Sequence, residues 1–317
     1  MSERFLGIDG GQSGTTALIG DADGRVAGVG RSGPSNHVRA EGGHEKFVRA
    51  IGECVDTAAA AAGLDSRTVR FRSACLGFSG GPTDKEALLG EILRADHMAV
   101  TTDAHIALSG ATAGEPGIVV IAGTGSMALG RNTAGEMARA GGWGYVFGDQ
   151  GGAFDIVRRA LGAALRLEEG WGNPTTLHRI LLEAGGAASA NELLHRFYTT
   201  DWPRPRIAAL APLVDQAAGE GDDVARGILE QAAWELAGLA SAVRAQLFAE
   251  SEAAQVTYSG GVFRSDVLRE RYQELIEMTA NNRFHLPHYG PAAGALLGAY
   301  RAVGMAPQLS GLPEQEK

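Results

Sequence analysis

Two short turns rich in glycine and hydroxyl side chains stand out first, Asp9-Gly-Gly-Gln-Ser-Gly-Thr15 and Gly123-Thr-Gly-Ser126. Glycines such as Gly11 and Gly125 let backbone N–H groups come close to an anion. Ser13, Thr15, Thr124 and Ser126 add hydroxyl groups. Asp9 follows an apolar run, where a carboxylate can hold a hydrated Mg2+. Neither turn is a Walker A loop, because no GxxxxGK[ST] occurs in the chain. Taken singly, each reads equally well as an ordinary hairpin turn. As a pair at equivalent places, they point to two halves that clasp one polyphosphate.

A second set of residues has the chemistry of a polar acceptor site. Thr101-Thr-Asp-Ala104 closes an apolar run, and a carboxylate at a strand end suits a general base. On local sequence alone Asp103 or Thr102 reads first as a helix N-cap. Gly141-Gly-Trp-Gly144, followed by Gly148-Asp-Gln-Gly-Gly152, sets one flat side chain among residues with none and then supplies an acid. A sugar needs an apolar surface for a ring face and a carboxylate for its hydroxyls. Trp143 as core and Asp149 as a plain cap are the structural alternatives. Ser35-Asn-His37 and Ser79-Gly-Gly81 are polar breaks that ordinary turns also explain. Ser259-Gly-Gly-Val262 stands between a strand and a helix, where a glycine surface can pack on an adenine or simply make a tight connection. His285-Leu-Pro-His288 has metal-like spacing but no third ligand nearby, so solvated loop histidines are expected rather than zinc.

The elements that must position these residues repeat. Phe5–Asp9, Thr15–Ile19 and a strand from Val26 to Gly30 alternate with turns, and Ile118–Ala122, Met127–Leu129 and Glu136–Ala140 do the same roughly a hundred residues later. That is an internal duplication. Helices are expected at 45–62 and 84–94, with strands at 71–78 and 98–102. Beyond Gln150 the chain is predominantly helical, at 154–168, 175–182, 190–197, 207–218 and 223–248. A strand at 256–259, a helix at 266–278, a short strand at 284–286 and a last helix at 292–303 complete it, with a frayed tail after Met305.

The 317 residues suggest two domains, with 44% hydrophobic and 21% charged residues as in ordinary globular proteins. A net charge of -9 lacks the basic footprint that nucleic acids require. Cys54 and Cys75 form no CxxC pair and read as buried thiols in a reducing compartment. No apolar run is long enough to span a bilayer, and no signal-peptide pattern opens the chain, so a cytoplasmic protein without a membrane partner is expected.

Together these motifs resemble the N-acetylglucosamine kinases within the BadF/BadG/BcrA/BcrD ATPase family, in order from Ile8-Asp-Gly-Gly11 to Pro291-Ala-Ala-Gly294. The narrowest matches are Ser35-Asn-His37, Thr101-Thr-Asp103, Gly123-Thr-Gly-Ser126 and Gly141-Gly-Trp-Gly144 with Gly148-Asp149. The resemblance implies an α/β fold of duplicated ribonuclease-H-like domains, as in actin-like ATPases, with ATP in the cleft between them. The first domain would be 1–108, joined by the C-terminal helix 291–317, and the second 109–290 with a helical insertion. It implies ATP and Mg2+ as cofactors, with Ser13 and Thr124 on the phosphates, Gly11, Thr15 and Gly125 also in the nucleotide site, and Asp9 there holding Mg2+ through water. Gly260 and Gly261 would face the adenosine, with Ala218 on its other side. Asn36, Ser79, Ser126, Gly142, Trp143, Gly144 and Asp149 would line a sugar site, and Asp103 would be the catalytic base. Departures are Gln12-Ser13-Gly14, where many members have glycine then threonine, and Met127, at a position that can be polar.

The implied reaction moves the γ-phosphoryl of ATP to a hexosamine hydroxyl, N-acetylglucosamine giving its 6-phosphate. Glucosamine, N-acetylmuramate or glucose are alternative acceptors, and a homodimer is left open. An ATPase activator of an acyl-CoA dehydratase would need cluster-ligating cysteines in the second domain, whereas both cysteines precede Ala104. A sugar-sensing repressor would need an N-terminal helix-turn-helix, whereas the first strand is expected almost at once.

Overall fold

The computed structural model describes residues 3–11, 14–35, 38 and 41–316. It divides into two compact units, Met1–Glu115 with Leu286–Lys317, and Pro116–His285. No helix among the described residues is long and apolar enough to cross a membrane.

The first unit is built on five strands: β1 (Phe5–Gly10), β2 (Thr15–Gly20), β3 (Val26–Ser32), β4 (Phe71–Phe78) and β5 (Ala95–Thr102). Their order is β3-β2-β1-β4-β5. β1 pairs antiparallel with β2 and parallel with β4, and β4 pairs parallel with β5. Helix α1 (Gly43–Ala61) lies between β3 and β4, α2 (Glu86–Ile92) between β4 and β5, and α3 (Asp103–Ala111) follows β5 directly. Buried apolar residues, Phe5, Leu6 and Ile8 in β1 and Phe71, Ala74, Cys75, Leu76 and Phe78 in β4, fill both faces of these strands, as a sheet covered by helices requires.

The second unit repeats that plan with β6 (Gly117–Ala122), β7 (Ser126–Arg131), β8 (Met137–Gly141), β9 (Ala254–Ser259) and β10 (Asn282–Phe284). Its order is β8-β7-β6-β9-β10, with β6 antiparallel to β7 and parallel to β9. The duplication expected from the sequence is therefore one sheet plan used twice. Where the first unit has α1, the second carries α4 (Ala153–Glu168), α5 (Leu177–Gly185), α6 (Ala190–Phe197), α7 (Arg204–Ala208), α8 (Ala211–Gly219) and α9 (Asp223–Leu247). Helix α10 (Asp266–Glu277) then joins β9 to β10, and α11 (Pro291–Arg301) closes the first unit by packing on β1 and α3.

Three local expectations are corrected. The single helix over 207–218 is two, because the backbone turns at Ala209–Leu210 and Pro205 and Pro212 each stand in the first turn of a separate helix. The last strand begins earlier, at Asn282, and ends at Phe284, ahead of Pro287. The tail is not frayed. Val26 N–H donates to Ser310 O at 2.9 Å, Leu309 is buried, and Glu316 accepts from Ala293 N–H at 2.9 Å. Backbone pairing and a helix-terminal carboxylate hold the segment down. Cys54 and Cys75 are both buried and free, and burial pushes their thiols up to about 12 and about 11.

Close approach fixes where α11 sits. A Cβ on Gly294 would lie 2.0 Å from Ile106 O and 2.4 Å from Gly110 N, both backbone atoms of α3 that cannot swing aside. Gly52, inside α1, would meet nothing within 4 Å. Gly294→Ala is therefore expected to destabilise the fold by ~1–3 kcal/mol through overpacking. Gly52→Ala should stabilise it by ~0.5–1 kcal/mol through reduced chain entropy. Denaturant melts of the two variants check the opposite signs.

Candidate functional site

In the second unit the turn between β6 and β7 is locked to the start of α4. Gly123 N–H donates to Gly125 O at 3.0 Å, closing the turn. Ala153 N–H donates to Gly123 O at 2.9 Å and Phe154 N–H to Thr124 O at 3.1 Å. Gly152 lies so close that a Cβ on it would stand 2.8 Å from Gly125 Cα. Among the described residues the N–H groups of Thr124 and Gly125 and the Thr124 hydroxyl take no protein partner. Uncommitted donors at one turn make an anion-binding concavity.

Asp149, from the segment between β8 and α4, packs against the same turn. A Cβ on Gly125 would fall 2.3–2.9 Å from the Asp149 carboxylate, so the carboxylate occupies the space that a side chain at 125 would need. Asp149 is buried, and it adopts a positive φ of 62°, rare for a residue with a Cβ. Its Oδ2 stands 3.4 Å from Arg204 Nη1 of α7. It is not the cap of α4, a position that Gly152 takes. Ser126 is buried and its hydroxyl donates to Gln150 O at 2.5 Å, leaving only acceptor capacity for a ligand. Gly142 N–H donates to Ser126 O at 3.0 Å, and Gly142 and Gly144 take φ of 74° and 80°, conformations open to glycine. Between them Trp143 is 65% exposed, with the Arg139 guanidinium 4.9 Å from its ring. An exposed indole is a surface on offer, which the core alternative for Trp143 does not explain.

At the C-terminal end of β9, Gly260 has φ of 104° and would drive a Cβ to 2.3 Å from Ala122 O. Gly261 opens a 3-10 turn and lines a cavity of about 410 Å3 with Ala209, Ala211, Pro212, Asp215 and Arg264. Ala218 is not part of this wall. It is fully buried in the core of the unit, and the N-terminal turns of α8 face the cavity instead.

In the first unit Asp103 follows β5 and Ser79 follows β4, whose last residues Thr102 and Phe78 are register partners. That pairing brings Ser79 Oγ to 2.6 Å from Asp103 Oδ2, and Ala104 N–H donates to Asp103 Oδ1 at 2.9 Å. The cap of α3 is Thr102, which accepts from His105 N–H, so Asp103 is free of that task. Thr15 is corrected: it is buried and its hydroxyl donates to Gly33 O at 2.9 Å, so its one proton is spent inside the unit. Gly11 N–H donates to Gly14 O at 2.9 Å. Ser13 and Asn36 lie outside the described residues.

Asp9 is the electrostatic focus of this unit. Burial raises its carboxyl from the ordinary 3.8 to about 7, and Glu316 and Asp103 add to the effect. Burial also raises Glu316, while the Ala293 and Ala292 N–H groups at the start of α11 oppose it. An acid held near neutrality among other acids suits a divalent cation, which would favour its ionised form. Glu316 and Arg204 gave no sequence signal: each reaches its site through a contact across the fold, and neither belongs to a motif.

The profile of the BadF/BadG/BcrA/BcrD ATPase family matches residues 6–299. An N-acetylmuramic acid/N-acetylglucosamine kinase of Clostridium acetobutylicum is 31% identical over 279 residues, 86% of this chain and 90% of its own. An N-acetyl-D-glucosamine kinase of Dictyostelium discoideum is 30% identical over 302 residues, 86% of this chain and 91% of its own. A solved Chromobacterium violaceum structure, named a candidate N-acetylglucosamine kinase, is 27% identical with a TM-score of 0.76, covering 93% of this chain and 98% of that one.

The Asp9 shift has a signed consequence. Between pH about 4 and 7 the unfolded chain ionises Asp9 while the folded chain keeps it protonated, so this group costs stability as pH rises through that window. Asp9→Asn should therefore gain stability relative to the wild type between pH 4 and pH 8. Denaturant midpoints measured across that range test it, and a pH-independent difference would show that Asp9 is not held protonated.

Proposed function

The chain belongs to the BadF/BadG/BcrA/BcrD ATPase family, and on that premise we propose that it is an ATP-dependent hexosamine kinase that converts N-acetylglucosamine to N-acetylglucosamine 6-phosphate. The observation that carries the reading is that two relatives matched over most of the chain bear the name of N-acetylglucosamine kinase. The fixed Asp103 carboxylate supports it as the group that takes the acceptor proton.

ATP with Mg2+, when bound, supplies the γ-phosphoryl group with part of its charge neutralised. The free N–H groups of Thr124 and Gly125 would hold phosphate oxygens, and the cavity of about 410 Å3 beside Gly261 would take the adenosine. Asp9 would hold Mg2+ through water, the usual manner of a cation that dehydrates reluctantly. Asp149 would accept hydroxyl donors of the sugar, and Trp143 would offer its ring face. Asp103 would accept the proton of the attacking hydroxyl. Ser79 and the Ala104 N–H keep its carboxylate in one orientation, so little ordering remains to be done when the sugar arrives.

Asp103→Asn preserves shape and hydrogen bonding but cannot take a proton. Turnover should fall by ~10²–10⁴, with sugar affinity and thermal stability near wild type. ADP release in the wild type should depend on added N-acetylglucosamine. Near-normal turnover of the variant would remove Asp103 from the base role, and sugar-independent ADP release would overturn the kinase reading.

A further inference from the structure

The loop 79–85 joins β4 to α2 and carries Ser79 to Asp103. Ser79 follows the last residue of β4, and its N–H donates to Gly10 O at 3.2 Å. Gly80 and Gly81 then both take left-handed backbone conformations, with φ of 80° and 84°. A Cβ on either would meet nothing within 4 Å, so no packing around these two residues holds the loop in shape. Its hydrogen bonds must do so instead.

Those bonds are unequal. Gly81 N–H donates to Phe78 O at 3.3 Å, a long contact, and Lys85 N–H donates to Pro82 O at 2.9 Å. The short, charged bonds come from the Lys85 side chain, whose Nζ donates to Gly81 O at 2.7 Å and to Asp84 Oδ1 at 2.8 Å. A hydrogen bond from an ionised donor is roughly twice as strong as a neutral one.

Lys85 is 3% exposed, although lysine is almost never buried without a partner. Its ammonium lies 5.9 Å from the ring centroid of Phe78, itself fully buried at the end of β4. A lysine that served only as surface charge would extend its ammonium into water. One that served only as an ion pair would need Asp84 and not Gly81 O. The bond to Gly81 O closes the loop behind the two glycines and thereby fixes the path that leads from Ser79.

That path bears on a reacting group. Ser79 Oγ lies 2.6 Å from Asp103 Oδ2, in the short range of an O–H donor on a carboxylate. Ala104 N–H takes the other oxygen, Oδ1. The orientation of the carboxylate therefore depends on where the loop holds the Ser79 hydroxyl.

We propose that Lys85 is a positioning residue for phosphoryl transfer: its bond to Gly81 O holds the 79–85 loop so that Ser79 keeps the Asp103 carboxylate aimed. The inference rests on the hexosamine-kinase reading with Asp103 as its base. Lys85 needs no contact with sugar or nucleotide in this role, since it acts through Ser79.

A double-mutant cycle on the full chain tests it, with ATP, Mg2+ and N-acetylglucosamine in a coupled ADP-release assay. Lys85→Met keeps the buried stem and removes the donors. Its kcat should fall by about 10–10²-fold, the scale of a misplaced catalytic group, while KM for ATP stays within about twofold of wild type. Ser79→Ala should lose a similar amount. The double variant should be no slower than Ser79→Ala alone, because the two residues act in series. A wild-type kcat in Lys85→Met, or losses that multiply in the double variant, would overturn the role. Thermal melts accompany the kinetics. Should Lys85→Met not fold, Lys85→Gln, whose amide is one bond too short to reach Gly81 O, takes its place with the same expected result. Wild type and Asp103→Asn separate the levels. If wild type needs the sugar and Asp103→Asn is slow while the cycle fails, Lys85 alone falls. If ADP release ignores the sugar, or Asp103→Asn turns over normally, the reading beneath falls and takes Lys85 with it.

Discussion

The second unit is organised around the contact between Gly125 and Asp149. The carboxylate lies in the space a side chain at 125 would fill, and Gly152 packs on the same glycine from the start of α4. Three consequences share that cause. The turn can present its N–H groups outward because its carbonyls are taken by Ala153 and Phe154. Asp149 is pressed into a left-handed backbone conformation that its surroundings must sustain. The start of β7 is bound to the 141–150 segment through Ser126 and Gly142. The 123–126 turn and the 141–150 segment thus become one connected piece.

The first unit solves a related problem with charge instead of shape. Glu316 and Asp103 lie near enough to Asp9 to add to the effect of burial in disfavouring its ionisation. Native proteins keep such acid clusters where a cation or a proton has work to do. The C-terminal tail takes part in this, since Glu316 satisfies the N–H of Ala293 at the start of α11 while adding its charge next to Asp9. The buried end of the C-terminal tail and strand β1 are in this way electrostatically linked.

The helical segment between β8 and β9 is where this chain departs from a minimal two-sheet plan. Its helices α4, α6 and α7 form an aromatic cavity, and α8 lines the Gly261 cavity. One duplicated scaffold supplies the two glycine turns, and the insertion supplies cavity walls. This is the division between rigid framework and variable connection seen in many α/β enzymes.

Local sequence determined the duplicated strand pattern, the glycine turns and most helix spans, because periodicity and turn chemistry act over a few residues. The family motifs added Asp103, Trp143 and Asp149 as residues to watch. What they could not give was which polar groups are already used. Thr15 and Thr124 look alike in sequence, yet one hydroxyl is bound to Gly33 O and the other is free among the described residues. Ala218 satisfies the helical pattern and still faces the core. Thr102 rather than Asp103 caps α3, although either residue type would serve. Glu316 and Arg204 acquire their meaning only from partners dozens to hundreds of residues away. Hydrogen-bond capacity is exhausted by whichever partner the fold brings first, and long-range packing decides that partner, so tertiary structure alone could tell the committed donors from the free ones.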